Sequence, residues 1–221
     1  MNARTWIAVS LFVMVACGVK AASEGGFAVT VLHDDKPVRE LAEGEKLRAA
    51  VPFNAEYELR LRNTHGRRAT ARVFIDDAPV SKIGDFVVPE NGTLNLERFL
   101  DASLDEGKRF KFVRLDHPGV DDPDRAENGL VRVEFRLEKP APVYIVPEQS
   151  WPLWTWTNST QFLSGYSTTT LDCSTTFCSA TMPGATVGGS VSRQRFGRVD
   201  IDTEEVCVVV ELWLRGIDIN G

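Results

Sequence analysis

The chain has 221 residues, 25% of them charged, and a formal net charge of −6 at pH 7. These proportions are ordinary for a soluble globular protein, and the length is enough for one β domain with its own core. The acidic balance argues against a general nucleic-acid binder, because neutralising phosphates requires a basic surface.

The N-terminus predicts an export signal over residues 1–22. Arg4 supplies the positive start, and the apolar run over residues 6–16 is shorter than the roughly 20 residues that a membrane-spanning helix needs. Small residues before Ala22 suit a cleavage point. A retained N-terminal anchor is the alternative.

Cys17 offers a second interpretation, lipidation, because Met14 to Cys17 resembles a bacterial lipoprotein cleavage box. We therefore expect a secreted or periplasmic, envelope-associated protein. It would meet a membrane only through its signal or a lipid anchor.

Short strands with turns between them are predicted next. The first convincing strand is Phe27 to His33, and a shorter one is expected at Lys46–Val51 within the ambiguous stretch 41–51. Residues 57–75 predict a hairpin whose chain reversal lies at Asn63–Gly66. Its first arm alternates apolar and charged faces, with Tyr57, Leu59 and Leu61 opposite Glu58, Arg60 and Arg62.

Further strands follow the turn at Pro89–Gly92. Thr93–Leu100 reads as a short strand or one helical turn, and the residues around Phe110 and Phe112 read as a strand partly buried on both sides. Leu130–Leu137 has the cleanest alternation. The regular strand spacing predicts an all-β fold, a two-sheet antiparallel sandwich of Ig-like or jelly-roll-like type.

The stretches YELRLRNTHGRRATARVFIDDAPV, IGDFVVPENGTLNLERFL and GKRFKFV carry a family resemblance. Together with GSVSRQRFGRVDID near the C-terminus, they resemble an exported bacterial and viral β-sandwich family, over residues 27–137 and 186–216. Asp77 stands where that family commonly has glycine. The shared motifs are structural, so the resemblance implies a sandwich and no particular activity.

The composition changes after the predicted sandwich core, residues 23–138. Residues 139–185 open with a proline-rich linker and continue rich in Ser and Thr, and 186–221 are expected to close the sandwich. The middle segment carries Trp151, Trp154 and Trp156. It is interpreted as an ordinary insertion with tucked tryptophans or as a ligand-binding platform.

The cysteines indicate one small disulfide at most. In an oxidising compartment Cys173 and Cys178 could close a short loop. As a metal motif, C-x4-C lacks a second pair of ligands. Cys207 lies in a run of valines and is expected to be a buried free thiol.

No catalytic, cofactor-binding or metal site is predicted. The acidic loop from Asp116 to Asn128 could hold calcium, but it lacks EF-hand spacing and a solvated loop is the default interpretation. Arg60 and Arg62 belong to a basic hairpin that could bind an anionic partner unless carboxylates elsewhere neutralise it.

Three functional hypotheses follow. The first is a non-enzymatic envelope or surface module that binds or scaffolds a cell-surface polymer or another protein. The second is an exported hydrolase with dispersed carboxylates, and the third is a subunit of a particle or filament. The lack of a compact nucleophile–base pattern favours the first over the second.

Overall fold

The computed structural model describes residues 22–43, 46–101, 103–141 and 181–218, which form fourteen strands and no helix. The prediction of an all-β, two-sheet sandwich is confirmed. In chain order the strands are β1 (Ala22–Glu24), β2 (Phe27–His33), β3 (Lys36–Pro37), β4 (Glu40–Glu43), β5 (Lys46–Pro52), β6 (Glu56–Asn63), β7 (Ala69–Ile75), β8 (Ala78–Pro79), β9 (Phe86–Val88), β10 (Thr93–Leu96), β11 (Gly107–Arg114), β12 (Leu130–Leu137), β13 (Gly184–Ser192) and β14 (Val208–Ile217).

The strands divide into two sheets of seven. Sheet 1 has the order β1-β2-β6-β11-β13, with β3 paired to β2 and β10 paired to β6. Sheet 2 has the order β4-β5-β14-β12-β7-β8, with β9 paired to β7. The pairing is antiparallel except between β14 and β5, which run parallel.

Period-two alternation decides which side chains fill the core. Tyr57, Leu59 and Leu61 of β6 are at most 1% exposed, as the alternating pattern predicted. From sheet 2, fully buried side chains of β12, including Phe135, pack into the same core. The Phe135 ring stacks on Phe27 of β2 at 4.4 Å between centroids, and this contact joins the two sheets.

The predicted hairpin over residues 57–75 is wrong as a hairpin, although both of its strands exist. β6 lies in sheet 1 and β7 lies in sheet 2. The chain between them is held by other partners, because the Thr64 amide donates to Gly26 O at 3.0 Å and the Asn91 amide donates to His65 O at 2.9 Å. The segment therefore crosses between the sheets instead of folding back.

Three tight hairpins occur elsewhere among the described strands. Two-residue loops at Gly25-Gly26, Asp34-Asp35 and Asp76-Asp77 join β1 to β2, β2 to β3 and β7 to β8, and all six residues have positive φ. Two consecutive positive φ values define the type I′ turn, whose twist matches that of paired strands.

The Asp76 carboxylate also ties the sheets together. Its oxygens accept the amide hydrogens of Gly129, before β12, and of Thr186, in β13 of sheet 1, both at 2.6 Å. Burial raises the pKa of Asp76 to about 6 despite these hydrogen bonds.

The closing segment begins slightly earlier than predicted: β13 starts at Gly184, two residues before the predicted start at 186. Within the part of the chain that the structure describes, no helix is long and apolar enough to cross a membrane.

Candidate ligand-binding groove

A groove of about 790 Å³ opens at the β9 edge of sheet 2. One wall is the end of sheet 2, including β9 and Arg72 of β7, and the other is the irregular chain between β13 and β14. Apolar side chains of Ile83, Leu94 and Leu104 line the space between them. A cleft of this volume has the size of a usual binding site.

The second wall is a strap, residues 197–201, fixed at both ends. Before it, the Phe196 amide donates to Leu104 O at 2.9 Å. After it, Asp202 O accepts the Lys139 amide at 2.9 Å, and the Glu204 amide donates to Leu137 O at 2.8 Å. Between these anchors, no backbone hydrogen bond joins residues 197–201 to another described residue. The strap therefore keeps its amides and carbonyls available.

Arg98 fixes the chain just before the strap, next to the anchor at Phe196. Its side chain is fully buried and donates to the backbone carbonyls of Gln194, Phe99, Ser103, Leu104 and Glu106 at 2.7–3.2 Å. The guanidinium also lies 4.9 Å from the ring centre of Phe196. Because its donors already have these partners, Arg98 shapes the groove and is not a ligand-binding group.

The groove is lined by three arginines, Arg72, Arg195 and Arg198, and by two aspartates, Asp85 and Asp200. Arg72 is paired with Asp85 at 2.8 Å, and Arg195 lies 3.7 Å from Asp105. Arg198 is exposed on the strap, and no described carboxylate lies within ion-pair distance of it. The one acidic residue of the strap is Asp200. Arginine guanidinium groups bind carboxylates through two parallel hydrogen bonds, which suits an acidic ligand.

β9 supplies a free strand edge to the groove. Residues Phe86 to Val88 pair with Ala69 to Ala71 of β7, and no described strand pairs with the opposite edge of β9. An unpaired edge is a template on which another extended chain can add.

The predicted binding surface at Arg60 and Arg62 lies elsewhere, on the outer side of β6 in sheet 1. Arg60 Nε donates to Asn95 Oδ1 at 3.0 Å, whereas Arg62 is exposed beside Thr93 of β10. The structure does not bring this pair to the groove.

The other arginines of the predicted basic hairpin are neutralised, which was the alternative left open. Arg67 pairs with Glu204 at 2.6 Å, and Arg68 forms a bidentate pair with Glu138.

Several predicted features lie outside the described residues. These are nearly all of the signal segment, Cys17, the Cys173–Cys178 pair and the three tryptophans Trp151, Trp154 and Trp156. Cys207 is described and is a free thiol, but it is only half-buried at the start of β14, where the strand leaves the core.

The carboxylates do not assemble into a metal site among the described residues, where no three His, Cys, Asp or Glu side chains are placed to hold an ion. In the acidic loop, the Asn128 side chain donates to Asp122 O at 2.8 Å and organises the turn itself. The calcium interpretation therefore gains no support from the loop's geometry.

A carboxylate cluster that sequence analysis missed lies on the outer side of sheet 1. Arg109 Nη2 lies 3.1 Å from Glu58 and also pairs with Glu97. Burial, and next the charge of Glu97, raise the pKa of Glu58. Because Glu97 also accepts the Ser192 hydroxyl, both of its oxygens have partners. This is the arrangement of a structural network, with no free acid–base pair.

The groove, too, escaped sequence analysis, although the stretch RQRFGR supplies two of its arginines, Arg195 and Arg198. Comparisons of the chain with protein-family models, with curated proteins and with solved structures give no match.

Proposed function

We propose that this protein is a non-enzymatic, exported binding module of the cell envelope that holds an extended acidic polypeptide segment in the groove. The observation that carries the proposal is that β9 and the strap line the same groove, and that neither the second edge of β9 nor the backbone of the strap is paired with a described residue. The N-terminal pattern and the resemblance to an exported β-sandwich family support the envelope address.

Strand addition supplies the affinity. An extended peptide beside β9 would pair its main chain with that edge, while alternate side chains enter the apolar space between Ile83, Leu94 and Leu104. Acidic side chains at the groove's mouth would meet Arg195 and Arg198.

A polypeptide fits this groove better than a polysaccharide does. Sugar rings bind by stacking on exposed aromatic faces, but Phe86 is only 4% exposed. The ring of Phe196 is half-buried, tilted against Phe86 at 5.5 Å and occupied by Arg98. Backbone groups, by contrast, are available along both walls.

The test uses a soluble peptide of about ten residues with alternating valine and glutamate, long enough to cross the groove in β conformation. Binding is measured by calorimetry, and the site is located by NMR shifts of the backbone amides. We expect shifts at Phe86–Val88 and about tenfold weaker binding by the Arg195→Ala/Arg198→Ala variant. The Arg60→Ala/Arg62→Ala variant, which loses the same charge on sheet 1, is the matched control and should bind normally.

Two further probes separate the alternatives. The same peptide with alternate backbone amides methylated loses its ladder donors and should not bind. Equal binding of the methylated peptide would overturn strand addition, and equal binding by the Arg195→Ala/Arg198→Ala variant would overturn the site. Preferential binding of an oligouronate in the groove would show that the ligand class is a glycan.

A further inference from the structure

A second surface, far from the groove in the strand order, is built where the parallel pair β5–β14 meets β4. The ladder register sets Leu41, Arg48 and Trp213 side by side across the three strands. One row further along, Ala50 lies beside Arg215, and the Ala50 amide donates to Arg39 O at 2.9 Å. We call these two rows the Trp213 face.

The face points away from the core. Ala49 and Val51 of β5 are at most 1% exposed and fill the interior, so Arg48 and Ala50 point to the opposite side. Leu212 and Leu214 of β14 are likewise buried, which sets Trp213 and Arg215 outward.

The face is cationic in an otherwise acidic protein. Its two rows contain Arg39, Arg48 and Arg215 and no acidic residue. Glu40 lies between these rows on β4, but it is paired with the core residue Ala49, so its side chain is directed to the other side of the sheet. On the outer side, Glu211 lies two residues before Trp213 on β14.

The Arg215 side chain is incompletely paired among the described residues. No described carboxylate lies within ion-pair distance of it, and its Nε atom is buried without a hydrogen-bond partner. Its guanidinium instead lies 5.9 Å from the ring centre of Trp213, which Lys46 Nζ approaches at 4.9 Å. Burial, and next the charge of Arg48, lower the pKa of Arg215, and the opposite charge of a bound anion would favour its protonated form.

An apolar pocket of about 270 Å³ adjoins this cationic surface. Its lining from sheet 2 comprises Leu41, Ala50, Pro52 and Ile217. Lys36 of β3 lines it from sheet 1, and Arg39 lines it from the segment between β3 and β4. The pocket is smaller than the usual cleft for a drug-sized molecule, so it suits a short hydrocarbon segment.

From this juxtaposition of Arg215, whose Nε has no described hydrogen-bond partner, with the exposed Arg39 and an apolar pocket, we infer that the Trp213 face binds a small anionic amphiphile. The phosphate or carboxylate head lies against Arg39 and Arg215, and a short apolar tail enters the pocket beside Ala50. This site is separate from the peptide groove and does not depend on the function proposed for it.

The test uses octyl phosphate below its micellar concentration, compared with inorganic phosphate and with octyl glucoside. The first comparison removes the tail and the second replaces the charged head by a neutral one. We expect octyl phosphate to bind at least about tenfold more tightly than either, because each lacks one half of the interaction.

Variants test which residues bind the charged head of octyl phosphate and which bind its apolar tail. Arg215→Gln should weaken octyl phosphate binding about tenfold, and Ala50→Leu, which fills the pocket from its lining, should weaken it by a similar factor. Arg62→Gln removes the same charge from the outer side of sheet 1 and should change nothing. Circular dichroism of each variant confirms that the sandwich is intact.

The inference fails if octyl glucoside binds as well as octyl phosphate, or if Arg62→Gln weakens binding as much as Arg215→Gln does. It also fails if no octyl phosphate binds to the folded protein. Binding to anionic phospholipid vesicles without binding of the monomer would show attraction to a charged membrane surface and would overturn the pocket as the ligand site.

Discussion

The Glu40 carboxylate has no hydrogen-bond partner among the described residues. It lies on β4, the edge strand of sheet 2, paired with the core residue Ala49, so its side chain is directed inward. Both carboxylate oxygens are buried without a hydrogen bond, and burial raises the pKa of Glu40 to about 7. An inward-directed charge on an edge strand disfavours pairing with another chain, at a cost in stability.

That cost should depend on pH. The pKa of Glu40 is higher in the folded state than in the unfolded state, so the protonated carboxyl costs little. The folded state loses stability as the pH rises through about 7 and the buried carboxyl ionises. Glu40→Gln should therefore leave the free energy of unfolding nearly unchanged at pH 5. At pH 8 it should raise that energy by on the order of 2 kcal/mol, less than full linkage because water reaches part of the side chain.

Urea denaturation at both pH values measures the effect. Glu24→Gln, an exposed glutamate on the edge strand of sheet 1, is the control and should give the same small difference at pH 5 and pH 8. An equal gain from Glu40→Gln at both pH values would show that the buried carboxylate is not the source.

Single residues divide into those that alternation predicts and those that it does not. The inward direction of Leu59 and the outward direction of Arg62 follow from period two, and the structure agrees. Arg98 could not be predicted, since its burial depends on carbonyls of a neighbouring loop and of Gln194, nearly a hundred positions away in the chain. The sequence shows that residue 98 is an arginine, but it does not show the backbone carbonyls that accept its hydrogen bonds.

At the scale of elements, strands were easier to predict than their partners. Leu130–Leu137 was predicted with its true bounds, because alternation is a property of one segment. The hairpin over residues 57–75 failed because pairing is a property of two segments. The Asn63–Gly66 stretch can reverse a chain, but the hydrogen bonds that it forms with the carbonyl of Gly26 and the amide of Asn91 direct it to the other sheet.

The turn at Asp76-Asp77 gives a test at this scale. Asp77 has φ +61° at the second position of a type I′ turn, a conformation that glycine adopts freely and a β-branched residue resists. Asp77→Gly should change the free energy of unfolding by no more than about 1 kcal/mol, since the contact that it loses, to Arg132 at 3.3 Å, is exposed. Asp77→Val should cost about 1–3 kcal/mol through backbone strain.

Thermal or urea unfolding of both variants measures the contrast. Asp121→Val is the matched control, because Asp121 is also exposed but has no positive φ, so the same exchange should cost little there. Similar costs for Asp77→Val and Asp121→Val would exclude strain at the turn as the cause.

At the scale of the whole molecule, both proposed sites arise from contacts between distant segments. The Trp213 face requires the parallel pairing of β5 with β14, whose residues are more than 150 positions apart in the chain. The groove forms only because the strap, residues 197–201, lies beside β9, which is more than 100 positions earlier in the chain. Alternation predicted an all-β sandwich but carries no information on which strands become neighbours, so neither site was visible in the sequence.

The same topology predicts that the two sites act independently. β12 alone separates β14 of the Trp213 face from β7 of the groove wall, which is roughly 10 Å across the sheet. Arg72 is level with Val209, however, six residues along β14 from Arg215, which adds roughly 20 Å along the strands. Effects at sites more than about 10 Å apart with no shared partners are usually additive. The valine–glutamate peptide should therefore bind with the same affinity, within about twofold, in the presence and absence of saturating octyl phosphate.

The variants provide the crossed measurement. Arg215→Gln should weaken octyl phosphate binding alone, and Arg195→Ala/Arg198→Ala should weaken peptide binding alone, with both followed by calorimetry on the same preparations. If Arg215→Gln also weakened peptide binding because the two edges of sheet 2 are energetically coupled, octyl phosphate and the peptide should alter each other's affinity in the wild-type protein, and linkage requires those two changes to be equal. Absence of that reciprocal change would mean that the variant had disturbed the sandwich itself.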